Sequence, residues 1–192
     1  GIGIGHFIHA MRRNLDLTYV VMDNQIYGLT TGQASPTTAK EQRTKSTPNG
    51  NVEAPINPLA LAMVSGATYV ARGYSGEPNH LADLIAGGIQ HKGFALIDVF
   101  SPCVTYNKVN TYAYFKKRVY KLEEDAGYDS SSAKVAAERC QEWGDRIPIG
   151  LLYKDNQPTY EDSEVVFKKG PLTQQPLRCD KAVFQTLIDE NL

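Results

Sequence analysis

A run of apolar and β-branched residues at positions 17–21 is the feature that most restricts how this chain can fold. Its sequence, Leu-Thr-Tyr-Val-Val, is typical of a strand buried in a parallel sheet. Similar runs at residues 67–71 and 94–99 alternate with the helix-like segments 57–66 and 80–91. The first of these segments begins with Asn57 as N-cap and ends with Gly66, which together specify a short helix. Alternating strands and helices predict an α/β fold with a doubly wound parallel sheet.

The stretch after the first predicted strand, residues 22–33, gathers polar groups where that strand ends. Open α/β sheets bind ligands at this edge. Asn24 offers a side-chain carbonyl and Ile26 a main-chain carbonyl, a spacing that suits Mg²⁺ or Ca²⁺ with phosphates as further ligands. Gly28 lets the backbone approach a ligand, and the hydroxyl of Thr30 can hold a diphosphate. Taken alone, an Asp-Asn pair after a strand is more often an ordinary polar loop.

Residues 37–55 are rich in Thr, Lys, Asn, Gly and Pro and predict a long loop. Loops of this length without secondary structure are uncommon in compact domains and are usually functional or disordered. Two interpretations stay open. The loop is either solvated and mobile, or it is a lid that orders against a partner subunit or a substrate.

The second half of the chain predicts less regular structure. Residues 106–124 have an amphipathic pattern that predicts a helix or a pair of helices, packed in the core or against another subunit. Residues 130–143 predict a further helix, and residues 147–153 a late strand whose proline places it at a sheet edge or a bulge. We expect one α/β domain over residues 1–153 and an extended arm with a short helix over residues 154–192.

Charge and composition exclude several classes of protein. The formal net charge is −1 at pH 7, which gives no electrostatic bias toward nucleic acid. We expect no membrane span, because no run of about 18 apolar residues occurs, and no signal peptide, because the N-terminus lacks a basic segment followed by an apolar region. Cys103, Cys140 and Cys179 are widely spaced, which argues against a disulfide framework and fits a reducing compartment. These features predict a soluble, cytoplasmic protein.

Cys103 follows the predicted strand at residues 94–99 and should lie at the carboxyl edge of the sheet. A cysteine at such a point can be an inert core thiol, a nucleophile or a metal ligand. The residues alone leave all three roles open.

Several motifs together resemble one protein family. Residues 22–33 are similar to the second half of the thiamine diphosphate motif in the β subunits of 2-oxoacid:ferredoxin oxidoreductases. Further stretches resemble signatures of this family in the family's order, namely residues 5–10, 12–14, 32–37, 101–107 and 142–148. The resemblance covers nearly all of the chain and implies the thiamine diphosphate-binding fold.

The resemblance implies a site and an activity. Asn24 and Ile26 would bind Mg²⁺, Gly28 and Leu29 would line the diphosphate of the cofactor, and Thr30 would steady the same end. The complete enzyme would decarboxylate a 2-oxoacid on thiamine diphosphate, pass electrons through iron–sulfur clusters to ferredoxin and give the acyl group to coenzyme A. The Glu that activates the thiamine ring usually comes from the α subunit in such enzymes, so no catalytic acid or base is named in this chain.

The resemblance also assigns the cysteines. Cys103 stands in a Pro-Cys-Val element, which in this family supplies the fourth thiolate of a [4Fe–4S] cluster. Cys140 and Cys179 match no ligand and are interpreted as structural. The other three thiolates, and the Gly-Asp-Gly-Asp half of the cofactor motif, would precede Gly1. We therefore expect an N-terminally truncated chain, the C-terminal two-thirds of a β subunit, that is inactive alone.

Substrate and reaction stay open at this point. Several relatives carry Lys where this chain has Thr31, and a lysine there would suit a distal carboxylate, so 2-oxoglutarate and pyruvate are both candidates. One alternative is a thiamine diphosphate decarboxylase or synthase that transfers no electrons. Another is a non-catalytic fragment that binds its partner subunit.

Overall fold

The computed structural model describes residues 1–175 and 180–191 and contains two compact units, Gly1–Tyr160 and Glu161–Leu192. Residues 155–160 belong to the first unit because their main chain is bonded to it. The N–H of Asp155 donates to the carbonyl of Thr68 at 2.9 Å, and the N–H of Tyr160 donates to the carbonyl of Asn14 at 3.3 Å. Cys179 lies outside the described residues, so its structural role stays a prediction.

A five-stranded sheet forms the centre of the first unit. Its strands are β1 (Leu17–Asp23), β2 (Tyr69–Tyr74), β3 (Phe94–Phe100), β4 (Val119–Lys121) and β5 (Ile147–Lys154). Their order is β1-β3-β2-β5-β4. β3 pairs in parallel with β1 and β2, and β4 with β5, whereas β5 runs antiparallel to β2. The predicted α/β fold is confirmed, and its sheet is mostly rather than wholly parallel.

Helices cover both faces of this sheet. They are α1 (Ile4–Arg12), α2 (Pro58–Ser65), α3 (Pro78–Gln90), α4 (Tyr112–Lys116) and α5 (Ala133–Gln141). One apolar cluster packs α1, α2 and α5 against side chains such as Leu96, and a second packs Leu84 of α3 against Ile97 on the opposite face. α2 has the predicted caps, since Asn57 Oδ1 accepts two main-chain N–H groups and Gly66 ends the helix at φ 92°.

β1 is an edge strand, which corrects the predicted buried strand. Tyr19, Val20 and Met22 are exposed, whereas every residue of β3 is buried. Within the described part of the chain, β1 pairs with β3 on one side only. The apolar run therefore predicted the strand correctly but did not predict the exposure of its side chains.

Residues 106–124 also differ from the prediction of amphipathic helices. They form α4, β4 and a 3₁₀ turn at Leu122–Glu124. Val119 aligns with Ile147 of β5, so pairing to a distant strand overrides the local helical pattern.

β5 lies between β2 and β4, so the predicted edge position of its proline is wrong. Pairing between β2 and β5 stops at Arg72 and Gly150, and Pro148 lies beyond that point, where its missing N–H costs no bond to β2. A register shift does occur in β5, at Leu152, since Val70 aligns with Tyr153 and Ala71 with Leu151.

Short elements follow the sheet domain. They are α6 (Tyr160–Ser163), which begins at the last residue of the first unit, and, in the second unit, 3₁₀ turns at Val165–Lys169 and Leu172–Gln174 and α7 (Lys181–Asp189). Asp180 caps α7, because its Oδ1 accepts the N–H of Ala182 at 2.8 Å. Among the described residues of both units, no helix is long and apolar enough to span a membrane.

Candidate functional site

A cavity of about 480 Å³ lies at the carboxyl end of β1, beside the loop that leaves this strand. Five residues that the sequence singled out line it together, and these are Asn24, Ile26, Gly28, Leu29 and Thr30. The carboxyl ends of β1, β2 and β3 meet at this edge because the three strands run parallel. The cavity thus occupies the position at which open α/β sheets bind ligands.

The loop at residues 24–33 is a closed turn that presents oxygen atoms to the cavity. Asn24 Oδ1 accepts the N–H of Ile26 at 3.1 Å, which is an Asx turn. The N–H of Tyr27 donates to the carbonyl of Gln33 at 2.9 Å and closes the loop. The carbonyl of Ile26 accepts no hydrogen bond from the residues that the structure describes. An amide oxygen and a free carbonyl are the hard ligands that Mg²⁺ prefers.

Asp23 anchors this turn at the end of β1. Its Oδ1 accepts the hydroxyl of Thr37 at 2.6 Å and the N–H of Gln25 at 3.1 Å. Burial raises the pKa of Asp23, and the two hydrogen bonds and the nearby Arg72 offset only part of that increase. Asp23 was not predicted from the sequence as a site residue, although an acidic residue at the end of an apolar strand can indicate one.

The segment after β3 lies directly against the turn. The N–H of Ser101 donates to the carbonyl of Asp23 at 3.0 Å. Asn107 is buried, and its Nδ2 donates to the carbonyl of Asn24 at 3.1 Å while its N–H donates to the carbonyl of Cys103 at 3.0 Å. These bonds fix Cys103 in place beside the cavity.

Gly28 is the point at which the turn touches Cys103. A Cβ at position 28 would lie 3.1 Å from Cys103 Sγ and 3.5 Å from Asn24 Nδ2. A side chain here would push the turn away from the half-buried thiol, so glycine permits the approach. The structure therefore brings together the predicted metal-binding turn and the predicted cluster ligand.

The long loop, residues 37–55, packs over the turn through hydrogen bonds within this chain. Asn51 is buried, its Nδ2 donates to the carbonyl of Thr38 at 3.1 Å, and its N–H donates to that of Gln42 at 2.9 Å. The hydroxyl of Thr38 donates in turn to the carbonyl of Gln25 at 2.8 Å. Side-chain amides and hydroxyls thus replace regular secondary structure.

Comparison with protein families decides the family. The model of the "Thiamine pyrophosphate enzyme, C-terminal TPP binding domain" matches residues 1–99. The chain belongs to the thiamine pyrophosphate enzyme family. A second model, which describes the C-terminal part of the pyruvate ferredoxin oxidoreductase β subunit, matches residues 103–169. Thiamine pyrophosphate, or TPP, is another name for thiamine diphosphate.

Relatives of this TPP-family chain are β subunits of 2-oxoacid:ferredoxin oxidoreductases, which confirms the resemblance. One from Saccharolobus solfataricus is 50% identical over 171 residues, which are 84% of this chain and 56% of that protein. The 2-oxoglutarate synthase subunit KorB of Methanocaldococcus jannaschii is 48% identical over 159 residues, 83% of this chain and 58% of that protein.

A solved structure has the same fold. It is a chain of the 2-oxoglutarate:ferredoxin oxidoreductase from Magnetococcus marinus, solved with 2-oxoglutarate, coenzyme A and succinyl-CoA bound. The match has a TM-score of 0.86 and 40% identity and covers 97% of this chain but 63% of that chain. The present chain therefore spans between half and two-thirds of the length of these relatives.

A second cavity of this TPP-family chain, of about 240 Å³, adjoins the first. Asp23, Thr37, Ile56 and Pro58 line both cavities, so Asp23 forms part of the wall between them. The second cavity also reaches Cys140, and burial raises the pKa of this thiol to about 11. A thiol with that pKa stays protonated at neutral pH and is a poor metal ligand.

Two buried charged side chains face the second cavity. Arg72 of β2 and Asp98 of β3 are aligned in the sheet. Arg72 Nη1 and Nη2 donate to the carbonyls of Pro148 at 3.4 Å and Cys140 at 3.3 Å. Arg72 Nε and Asp98 Oδ1 have no hydrogen-bond partner within the described residues.

Burial determines the charge of this pair. Burial lowers the pKa of Arg72. Burial, together with the charge of Asp23, raises the pKa of Asp98 to about 8, and the charge of Arg72 offsets part of that increase. Neither Arg72 nor Asp98 was predicted from the sequence to belong to a site. A charged residue inside an otherwise apolar strand was the available signal.

Proposed function

We propose that this chain belongs to the β subunit of an enzyme that oxidises a 2-oxoacid to an acyl-CoA and reduces ferredoxin. In the balanced reaction, the 2-oxoacid anion and coenzyme A give acyl-CoA, CO₂, one proton and two electrons, which two ferredoxins accept. The contact between Gly28 and Cys103 carries this proposal, because it joins a cofactor-binding turn to a thiolate ligand. The substrates and the activity are those in the names of the relatives.

Within this proposal, the turn after β1 holds the cofactor. Asn24 Oδ1 and the Ile26 carbonyl bind Mg²⁺, and the main chain at Gly28 and Leu29 lines the diphosphate. Thr30 donates its hydroxyl to Gln33 Oε1 at 2.6 Å in the structure and can redirect it to a phosphate oxygen. Thiamine diphosphate held by this turn would supply the nucleophilic carbon that the reaction of a 2-oxoacid requires.

Asp23 keeps this turn in position rather than acting as an acid or base. It is the only carboxylate among the described residues that line the larger cavity. Its Oδ1 is already occupied by Thr37 and by the main chain of Gln25. We therefore assign no catalytic acid or base to this chain.

Cys103 is the proposed thiolate ligand of a [4Fe–4S] cluster. Among the described residues, no group of three His, Cys, Asp or Glu side chains is placed to hold a metal ion. The proposal therefore requires three further thiolates from elsewhere in the assembled enzyme. Its place beside Gly28 would put the cluster next to the diphosphate of the cofactor.

The proposal includes partners and a compartment. The β-subunit names of the relatives imply an α subunit as partner. Ferredoxin is the proposed electron acceptor, coenzyme A the acyl acceptor, and the cytoplasm the location, which the low use of cysteine favours.

The test compares Cys103→Ser with Cys140→Ala in the enzyme assembled with its α subunit. We expect Cys103→Ser to lose iron, the visible absorption of the cluster and electron transfer to ferredoxin, and Cys140→Ala to keep them. A full cluster in the Cys103 variant would contradict the assignment. A wild-type enzyme that decarboxylates 2-oxoacids without iron would be a thiamine diphosphate enzyme of the non-redox kind, and one that binds no cofactor would be a partner-binding fragment.

A further inference from the structure

Thr31 is a strained residue in the turn that leaves β1. Its φ is 74°, in the left-handed region that β-branched side chains rarely adopt. It directly follows Thr30, which lines the cavity. Strain of this kind persists where the surrounding structure holds it, and it concentrates at ligand sites.

Lys45 holds the strained residue from the long loop. Lys45 Nζ donates to Thr31 Oγ1 at 2.7 Å, and the main-chain N–H of Lys45 donates to the carbonyl of Gly32 at 2.9 Å. The next residue, Ser46, accepts the N–H of Ala34 at 2.9 Å through its Oγ. Three bonds over two residues thus fix the ammonium group relative to the turn.

The charge of this ammonium is not compensated by a carboxylate. No Asp or Glu of the described ranges lies within ion-pair distance of Lys45, whereas Lys92 pairs with Asp16 and Lys121 with Glu77. Thr31 uses one of the three N–H donors of Lys45, which leaves two for a ligand. A fixed ammonium with two free donors, bonded to the residue that follows Thr30 of the cavity wall, is suited to bind an anionic group.

We propose that Lys45 binds the distal carboxylate of a dicarboxylic 2-oxoacid and thereby favours such substrates over monocarboxylic ones. The inference rests on the proposed function, because a 2-oxoacid must react in the adjacent cavity. A dicarboxylic 2-oxoacid such as 2-oxoglutarate carries its second carboxylate at the end remote from the reacting carbonyl. Pyruvate has a methyl group there and gains nothing from an ammonium. Thr31 acts as a positioning residue, since its hydroxyl directs the lysine.

The test uses the enzyme assembled with its α subunit and the variant Lys45→Met, which removes the charge at similar length. We expect kcat/KM for 2-oxoglutarate to fall about tenfold to a hundredfold, the range for a hydrogen bond to a charged group. For pyruvate, kcat/KM should stay within about twofold, because pyruvate has no distal carboxylate. Uniform structural damage would instead lower kcat/KM for both substrates. Lys40→Met, which alters an exposed lysine of the same loop, is the matched control and should change neither value.

Two further variants separate charge from structure. Lys45→Arg keeps the charge and should retain part of the preference for 2-oxoglutarate. Thr31→Val removes the hydroxyl but keeps the shape, and it should reduce the same preference by less than Lys45→Met does.

Several outcomes would overturn the inference. Equal losses for both substrates in Lys45→Met would indicate a structural role. An unchanged substrate ratio with a raised KM for coenzyme A would show that the ammonium binds a phosphate instead. A wild-type enzyme that oxidises pyruvate but not 2-oxoglutarate would refute this inference while leaving the proposed function intact, whereas one that oxidises no 2-oxoacid would refute both.

Discussion

The two cavities that meet at Asp23 differ in how their walls are made. Side chains at the rim of the larger one stand in solvent, with Met22 77% and Leu29 99% exposed. The smaller one is faced by Arg72 and Asp98, which are 3% and 2% exposed. The larger cavity offers neutral oxygens to a ligand, whereas the smaller holds charges inside the sheet.

This difference separates binding from stability. Large exposed apolar side chains beside a ligand site mark a surface that another molecule covers. Buried charges must be held by the fold, because an unpaired one is costly. We therefore expect substitutions at the larger cavity to change what binds, and substitutions at the smaller one to change how stably the subunit folds.

Arg72→Met should have the largest effect on stability. It removes the cation next to two buried carboxylates and leaves the carbonyls of Cys140 and Pro148 without donors. The free energy of unfolding should fall by about 3 kcal/mol or more, as when one partner of a buried charge pair is removed. Denaturant titration of the β subunit measures it.

Lys92→Met is the control for that substitution. Lys92 is 82% exposed and pairs with Asp16 at 2.9 Å, so its loss should cost less than about 1 kcal/mol. Equal costs for Arg72→Met and Lys92→Met would refute the distinction between the two cavities.

Asn24→Ala should come next, and its effect should be on binding. Asn24 Oδ1 closes the turn and, in the proposed site, also binds the metal ion. The affinities for Mg²⁺ and thiamine diphosphate should therefore fall together, by about a hundredfold or roughly 2.7 kcal/mol. Calorimetric titration of the assembled enzyme measures both, with Asn49→Ala, at an exposed position of the long loop, as control. Unchanged cofactor affinity would remove Asn24 from the site.

Asp98→Asn should have an effect on stability that depends on pH. The pKa of Asp98 is about 8 in the folded protein and near 4 in an unfolded chain, so only the folded state keeps this proton between those values. Its contribution to stability is complete below about pH 4 and is lost as the pH rises toward about 8. The variant should lose less stability than wild type over that interval in denaturant titrations, and parallel curves would refute the assignment.

Met22→Thr should have the smallest effect. Met22 aligns with Val99 on the neighbouring strand, yet it is 77% exposed while Val99 is 4% exposed. The free energy of unfolding should change by no more than about 0.5 kcal/mol for Met22→Thr. Val99→Thr buries a hydroxyl and should cost about 1 to 3 kcal/mol. Equal losses in the free energy of unfolding for Met22→Thr and Val99→Thr would show that β1 does not form an open rim of the larger cavity.

The sequence determined the parts of this protein that depend on neighbouring residues. The alternation of strands and helices predicted the α/β fold, and Asn57 and Gly66 predicted the ends of α2. The proposed site residues Asn24, Ile26, Gly28, Leu29 and Thr30 could be named from the sequence because they lie within one loop, and in the structure they line one cavity. Local propensity, capping and spacing operate over a few residues and can be taken from the chain directly.

Only the tertiary structure decided which distant residues meet. Cys103 touches Gly28, 75 positions earlier in the chain, because β3 pairs with β1 and Ser101 bonds to Asp23. The strand order places β1 at an edge, and the pairing of β2 with β3 brings Arg72 and Asp98 side by side. Strand order and burial arise from contacts between remote segments, whose free energy is set by packing and pairing rather than by the preferences of each segment. For this reason the sequence predicted the binding turn, while the buried charges behind it and the attachment of Lys45 to Thr31 required the folded structure.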